Sequence, residues 1–534
     1  MSLSAPATHT GRHTSLEPKE ARRRGMGIAI TAREAPDRLA IASPNGDRSF
    51  DFLNARVNQL VRALRARGVV EGSAVALVCR NRPEFAVAVY AALRAGWRLT
   101  PVNWHLAAPE LAYIIRDCEA VAVLADSSFR AQIEGAFRQI PSPPMGVAIG
   151  DPIHGFEDFE SLLSEQEPHD IDDPCVGYNM LYTSGTTGRP KGVHRDPQAA
   201  VSRPGNREIL ARVGYRPGRD LHLVTGPLYH AAPLAFSLMM PLGVGCGVVM
   251  MEGFDPDRCL DLIEGYRVTH THMVPIMFHR LLAIAEDERA LRNLSSLRIV
   301  LHGAAPCPVP LKRAMMDWLG PVLWEYYAAT EGWGSLVGPE EWLEHPGTVG
   351  RPAPGAVEVR DEEGKVLPPG TSGAIFMRSP AEGRFEYFKD EEKTGRTYAG
   401  DYFTLGDIGY LDADGYLFLD ARTSDVIISG GVNIYPAEVD AVLLTHPAVR
   451  DSATIGAPDD EWGEQVVSVV ELRDGYTATD QLAERLVVHC KEQLAHFKCP
   501  KRVEFRDSLP RSDAGKLLRR LVRDSFWEGR DRSI

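Results

Sequence analysis

The strongest constraint on the fold is a change of rhythm along the chain. From Ile28 to about Asp170, helical patterns such as Phe52–Arg67 alternate with short apolar strands such as Ala74–Val78 and Ala120–Ala125. Alternation of this kind predicts parallel sheets covered by helices. The rhythm continues with strands at Leu221–Val224, Gly247–Met251, Leu297–Leu301 and Val322–Tyr327, separated by helices at Asp257–Tyr266, Ile276–Ile284 and Pro310–Trp318. From Gly347 to Asp420 the pattern turns to short strands with turn signals (Asp361-Glu-Glu-Gly364, Pro368-Pro-Gly370, Asp412-Ala-Asp-Gly415), which predicts an antiparallel or barrel-like layer in which helices nearly vanish. After Arg422 a compact mixed pattern returns. It has helices at Pro436–Thr445 and Asp480–Gln493, and strands near Val449–Ile455, Glu464–Leu472 and Arg502–Phe505. That is a second, smaller α/β unit. With 534 residues the chain exceeds what one core can serve, so at least two domains are expected.

The 59 basic and 72 acidic residues leave a formal charge of -13, which repels nucleic acid and anionic lipid at long range. Any anionic ligand must be captured by local groups. Eight cysteines (Cys79, Cys118, Cys175, Cys246, Cys259, Cys307, Cys490, Cys499) are scattered with no C-x-x-C pair. Neither a zinc site nor a disulfide framework is suggested, and a reducing cytoplasm is the expected location. The longest apolar stretch, Ala231–Met251, is broken by Pro233, Ser237, Pro241 and three glycines, so it reads as a buried helix followed by a strand and no integral membrane segment is expected. Residues 1–25 are polar and carry Arg22, Arg23 and Arg24 but no secretory apolar core, and they read as a disordered extension.

The most informative segment is Tyr182-Thr-Ser-Gly-Thr-Thr-Gly-Arg-Pro-Lys-Gly192. Its core, residues 183–188, puts two glycines and four hydroxyl residues after an apolar strand, so backbone N–H groups can close on phosphate oxygens while hydroxyls donate further bonds. The Walker pattern is not met, because Gly192 follows Lys191 where Ser or Thr is required and Pro190 opposes immediate helix formation. Composition alone leaves a plain surface turn open. Further motifs follow at Pro227-Leu-Tyr-His230, His302-Gly-Ala-Ala-Pro306, Tyr327-Ala-Ala-Thr-Glu331, Gly406-Asp407, Arg422, Gly430-Gly-Val-Asn-Ile-Tyr-Pro436 and Gly515-Lys516. In that order, and over roughly residues 28–525, they resemble the adenylate-forming superfamily of acyl-CoA synthetases, nonribosomal-peptide adenylation domains and luciferases.

The resemblance implies an α/β fold with a large N-terminal AMP-binding domain over 26–421. That domain has two α/β subdomains with packed sheets and a β-barrel-like subdomain. A small, mobile C-terminal α+β domain over 425–534 follows a hinge at 422–424 centred on Ser424. It implies ATP, Mg²⁺ and coenzyme A as co-substrates and cofactor. Thr183, Ser184, Gly185, Thr186, Thr187, Gly188 and Lys191 would hold phosphates, with Gly303, Ala304 and Ala305 beside the nucleotide. Tyr327 would stack on adenine, Thr330 would reach the α-phosphate, and Glu331 would hold the metal. Asp407 and Arg422 would bind the ribose, and Lys516 would bridge the acyl carboxylate and the α-phosphate. Ser429, Gly430 and Gly431 would line a pantetheine tunnel, with Lys498 near the CoA phosphates. Ala328, Ala421, Ser424 and Val432 depart from the residues usual in the family.

An apolar acyl pocket is expected from His230, Phe236, Met273, Val274, Pro275, Phe278, Gly303 and Trp333, of which His230 alone is carried by a motif. No acidic anchor for an α-amine stands among them, which disfavours amino acids and leaves fatty, aryl or steroid-like acids. The expected activity is that of an acid–CoA ligase acting on a small-molecule carboxylic acid, with a homodimer left open. Two other readings stand beside it: an adenylating enzyme that delivers to a carrier protein, and a nucleotide-binding protein without catalysis. Lys516, Glu331 and the phosphate segment speak against the last.

Overall fold

A computed structural model describes residues 17–44, 46–183, 190–197, 204–379, 383–422, 425–429, 432–459, 462–512 and 515–528. The backbone groups into two units: Met1–His272 with Ala290–Val300 and Ala381–Thr394, and Met273–Arg289 with Leu301–Pro380 and Gly395–Ile534.

The first unit is built on two sheets that follow the alternation of the sequence. In one, strands run in the order Glu157–Asp158, Met145–Ile149, Ala120–Asp126, Ala74–Val78, Arg98–Pro101 and Tyr178–Asn179, and all neighbours are parallel. Every residue of Ala74–Val78 is buried, as a strand covered on both faces must be. In the other, His270–Met273, Leu221–Val224, Gly247–Met250 and Leu39–Ala42 lie side by side, with the short strand Arg48–Ser49 antiparallel at the edge. The helix Phe50–Arg65 starts where Ser49 Oγ accepts the Phe52 N–H at 3.2 Å. It buries Phe50, Leu53, Val57, Leu60, Val61 and Leu64 at helical spacing.

Next to that helix, Pro83–Ala95 is buried along nearly its whole length and brings a charge with it. Arg94 is fully buried; it donates to Asn54 Oδ1 at 2.8 Å and to Asn58 Oδ1. Both asparagines donate in turn to Asp170 Oδ1, at 2.9 and 3.1 Å. Burial lowers the Arg94 guanidinium to about 10, with the Asp170 carboxylate opposing the shift.

In the second unit, Leu323–Ala328 pairs antiparallel with Trp333–Val337. The turn-rich stretch forms the antiparallel sheet Tyr398–Ala399, Tyr402–Phe403, Gly373–Arg378, Asp407–Leu411 and Leu417–Arg422, with Val357–Arg360 also on Gly373–Arg378. One helix interrupts that stretch, Glu391–Thr397, where few helices were expected. Asp390 starts it by accepting the Lys393 N–H at 3.0 Å. The C-terminal part has the sheet order Val432–Ile434, Ile427–Ser429, Gly463–Leu472 and Val449–Asp459, with Arg502–Phe505 parallel to Gly463–Leu472. Buried Asp440 ties it together. It accepts from Ser452 Oγ, the Thr454 N–H and Thr454 Oγ1 at 2.8, 2.8 and 2.7 Å, and from Arg519 Nη1 at 2.7 Å. Among the described residues no helix is long and apolar enough to cross a membrane.

Removing one partner from a buried ion network leaves the other charge uncompensated, at a cost of about 3–5 kcal/mol. Asp170→Ala is therefore expected to destabilise the first unit by an amount of that order, read as a lower urea midpoint with an unchanged slope.

Candidate active site

Alternation along a strand sends neighbouring side chains to opposite faces, and Leu323–Ala328 uses both. Tyr326 packs against Trp333, rings 6.1 Å apart and tilted by 11°. Tyr327 points the other way, and its hydroxyl donates to Asp407 Oδ2 at 2.7 Å. Asp407 opens the strand Asp407–Leu411, is 8% exposed, and is in register with Arg422 along the backbone. Two residues expected on the adenosine are thus bonded to each other.

The loop after His302 lies close to this strand. A Cβ on Gly303 would come within 2.7 Å of the Tyr326 ring and of its carbonyl oxygen, so only glycine fits. The next residue, Ala304, is left-handed at φ 66°, a conformation that costs a non-glycine residue about 1–2 kcal/mol and concentrates at functional loops. Beside them is a buried charge cluster: Lys312 Nζ donates to Glu325 Oε2 at 2.7 Å, and His302 Nε2 is 3.7 Å from the same oxygen. Glu331 follows the strand and is 8% exposed. A nearly buried carboxylate suits Mg²⁺, which takes one or two carboxylates together with phosphate oxygens.

In the same unit, Met273 and Val274 are buried and Pro275 begins the helix Pro275–Leu282. Phe278, fully buried, meets the His302 ring edge-on at 5.2 Å. Lys516 is exposed on a hairpin whose Gly515 backbone lies against this helix. A Cβ there would stand 2.3 Å from Ile276 Cγ2 and 3.4 Å from Val274 Cγ2. The lysine loop and part of the expected acyl pocket therefore meet within one unit. Lys498, expected near the CoA phosphates, donates to both carboxylate oxygens of Glu438, at 2.7 and 2.8 Å. Ser429 pairs with Val432 and Gly463, while Ser424, Gly430 and Gly431 lie outside the described residues.

The first unit carries the remaining candidates. Thr183 and Lys191 face each other across the strands Leu181–Thr183 and Lys191–Arg195, whereas Ser184, Gly185, Thr186, Thr187 and Gly188 lie outside the described residues. Lys191 Nζ is 3.1 Å from Asp390 Oδ2, and that carboxylate raises the ammonium above its usual range. His230 closes the turn begun at Pro227, its N–H donating to the Pro227 carbonyl at 3.1 Å, and its ring lies 4.5 Å from Tyr229. Phe236 sits in a π-helical turn, Pro233–Met239, with its ring 6.1 Å from His272. Such turns are rare and often mark functional sites. Tyr90 Oη donates to the Met239 carbonyl at 3.0 Å.

Asp390, Glu325, Lys312, Arg511 and Asp451 escaped the sequence reading. Each depends on a partner far away in the chain, and no local pattern marks it. A buried hydrogen bond to a charged acceptor is worth about 1.5–3 kcal/mol, roughly tenfold or more in an equilibrium constant. Tyr327→Phe and Asp407→Asn are each expected to weaken ATP binding about tenfold by calorimetry, and the double variant to lose much less than the product of the two.

Comparison with known proteins gives the site its context. The AMP-binding enzyme profile matches residues 28–384, and that of the AMP-binding enzyme C-terminal domain matches residues 438–516. The chain is 34% identical over 505 residues to an indoleacetate–CoA ligase of Aromatoleum aromaticum (strain DSM 19018 / LMG 30748 / EbN1), covering 92% of this chain and 97% of that one. It is 32% identical over 517 residues to the fatty acid–[acyl-carrier-protein] ligase ScoC of Streptomyces coeruleorubidus, covering 94% and 96%. Among solved structures, the anthranilate CoA ligase AuaEII in complex with anthranoyl-AMP superposes with a TM-score of 0.83 at 26% identity, covering 94% of this chain and 97% of that one. Two profiles in sequence and relatives matched end to end agree with the motif order, and the chain belongs to the AMP-binding enzyme family, within the adenylate-forming superfamily.

Proposed function

We propose that this chain is an ATP-dependent acid–CoA ligase that takes a hydrophobic carboxylic acid. In the first half-reaction a carboxylate oxygen attacks the α-phosphorus of ATP, the bond to the pyrophosphate oxygen breaks, and acyl-AMP and pyrophosphate result. In the second, the CoA thiol loses its proton to solvent, the thiolate sulfur attacks the acyl carbonyl, and the bond to the AMP phosphate oxygen breaks to release AMP. The observation that carries this reading is the meeting of the Lys516 hairpin with Val274 and Ile276, in the same unit as Tyr327, Glu331 and Asp407.

The first half-reaction brings a carboxylate onto a phosphate ester, so it needs positive charge near the reacting atoms. Lys516, on a short exposed hairpin, supplies it. Tyr327 and Asp407 hold the adenosine from one side, with Arg422 beside Asp407 along the sheet, and Thr330 reaches the α-phosphate. Glu331 would hold Mg²⁺, which neutralises phosphate oxygens when bound. Residues 183–188 and Lys191 cradle the β- and γ-phosphates, and binding requires Lys191 to exchange Asp390 for phosphate. Rotation about Ser424 then brings Ser429, Gly430 and Gly431 to the thiol channel.

The acid is read from the lining. In the second unit Met273, Val274 and Phe278 are buried apolar groups and Trp333 stacks on Tyr326, while in the first unit Phe236 is a buried aromatic group; these, with His230, are the residues the family resemblance points to for the acid. Relatives named for indoleacetate and for fatty acids support an apolar acid of either kind. One of them loads a carrier protein, which favours a second reading with the same adenylate and a phosphopantetheine thiol on a protein as acceptor. The cysteines among the described residues are free thiols, in keeping with the cytoplasm.

Pyrophosphate release measured across short, long, aromatic and steroid carboxylates is expected to select an apolar acid. CoA thioester formation then separates the ligase from a carrier-loading enzyme. Lys516→Ala is expected to lower acid-dependent pyrophosphate release about 100- to 1,000-fold while thioesterification of preformed acyl-AMP persists. Equal loss of both half-reactions would rule out the rotation.

A further inference from the structure

Among the described residues, the hairpin that carries Lys516 is closed by three backbone hydrogen bonds, one of them from the Leu518 N–H to the Pro510 carbonyl at 2.8 Å. Arg511 and Leu517 form one isolated antiparallel bridge. The Ser512 N–H donates to the Lys516 carbonyl at 2.8 Å and the Gly515 N–H to the Ser512 carbonyl at 2.7 Å. The Lys516 N–H donates to Ser512 Oγ at 3.2 Å. A two-residue-wide hairpin at the end of a domain is marginal without tertiary support.

Part of that support comes from Arg511. Arg511 donates through Nε to Asp451 Oδ2 at 3.1 Å and through Nη2 to the same oxygen. Its Nη1 donates to the Gly515 carbonyl at 2.7 Å. Asp451 is 7% exposed and belongs to the long strand Val449–Asp459, where it also accepts the Ser452 N–H at 2.9 Å. The planar guanidinium thus spans from the sheet to the peptide immediately before Lys516. Its fork geometry holds both ends at once, which an ammonium cannot do.

The other side of the hairpin is also fixed. Gly515, at φ +77°, leaves no space for a Cβ against Ile276. One turn further along the same helix, His279 is half-buried within reach of the charges of Asp451, Arg511 and Arg473, and desolvation holds its imidazole down at about 4. It is neutral at physiological pH, so it packs beside the guanidinium without repelling it.

We propose that Arg511, held by Asp451, is a positioning residue that sets the place of Lys516 for adenylate formation. The proposal rests on the ligase reading given above. Arg511 does not touch substrate. It fixes the Gly515 carbonyl and hence the direction in which the following lysine leaves the hairpin. Because the small domain would turn between half-reactions, this strut matters for the first and is dispensable for the second.

The test compares Arg511→Gln and Arg511→Lys with the wild type, using the carboxylic acid that gives the fastest pyrophosphate release and the synthetic adenylate of that acid. Arg511→Gln is expected to cut kcat for acid-dependent pyrophosphate release at least tenfold, to change KM for ATP less than twofold, and to leave CoA-dependent consumption of the adenylate within twofold. Arg511→Lys, which keeps the charge and loses the fork, is expected to fall between the two. It carries the comparison alone if the glutamine variant does not fold. Amide hydrogen exchange over 515–518 is expected to speed up in both variants. An equal loss in both half-reactions, or none in either, with exchange unaltered, overturns the proposal. No acid-dependent pyrophosphate release from the wild type overturns the ligase reading instead, and the exchange rates then decide separately whether Arg511 orders the hairpin.

Discussion

Tyr327 and Asp407 are 80 residues apart in the chain and 2.7 Å apart in space. The hydroxyl and the carboxylate are both nearly removed from water, and such a bond is expensive to leave unmade. It ties the strand Leu323–Ala328 to the strand Asp407–Leu411 of the antiparallel sheet, and so fixes how the two strand ends present their side chains. Gly303 can approach the back of the same strand only because it lacks a Cβ, and Ala304 takes up the backbone strain that follows. The motifs at 302–306, 327–331 and 406–407 are one packed arrangement, in which each constrains the next.

Much of this was legible in the sequence because it is local. The alternation of apolar strands and amphipathic helices places Ala74–Val78, Ala120–Asp126 and Pro256–Tyr266 close to where they fall, and Arg502–Phe505 on its own residues. The turn signals between 347 and 420 point to the antiparallel layer that forms there, and Tyr327 and Asp407, from two separate motifs, are hydrogen-bonded. What the sequence withheld is long-range. Asp390 meets Lys191 because Lys191–Arg195 pairs antiparallel with Phe385–Tyr387, and nothing near either residue announces it. The helix Glu391–Thr397 was hidden because its start depends on one capping carboxylate in a stretch otherwise rich in turns.

Charge tells the same story at a larger scale. A chain with a formal charge of -13 carries its useful cations in paired form. Lys191 is beside Asp390, Lys498 beside Glu438, Lys312 beside Glu325 and Arg511 beside Asp451. Pairing keeps each long side chain in one place. Exposed Lys516 stands at the end of such a pairing, one residue beyond a carbonyl held by Arg511.

The π-helical turn at Pro233–Met239 has a consequence for how the segment around Phe236 can change. A turn of this kind accommodates one residue more than an α-helical turn, and the Tyr90 hydroxyl serves a carbonyl at its end. Deleting a single residue there would restore the ordinary winding and swing everything downstream by about 100° around the axis. Relatives that differ in length by one position in this segment would therefore present a different face beyond Phe236 with every side chain otherwise the same. Insertion and deletion, more than replacement, is the coarse adjustment this segment of the scaffold offers.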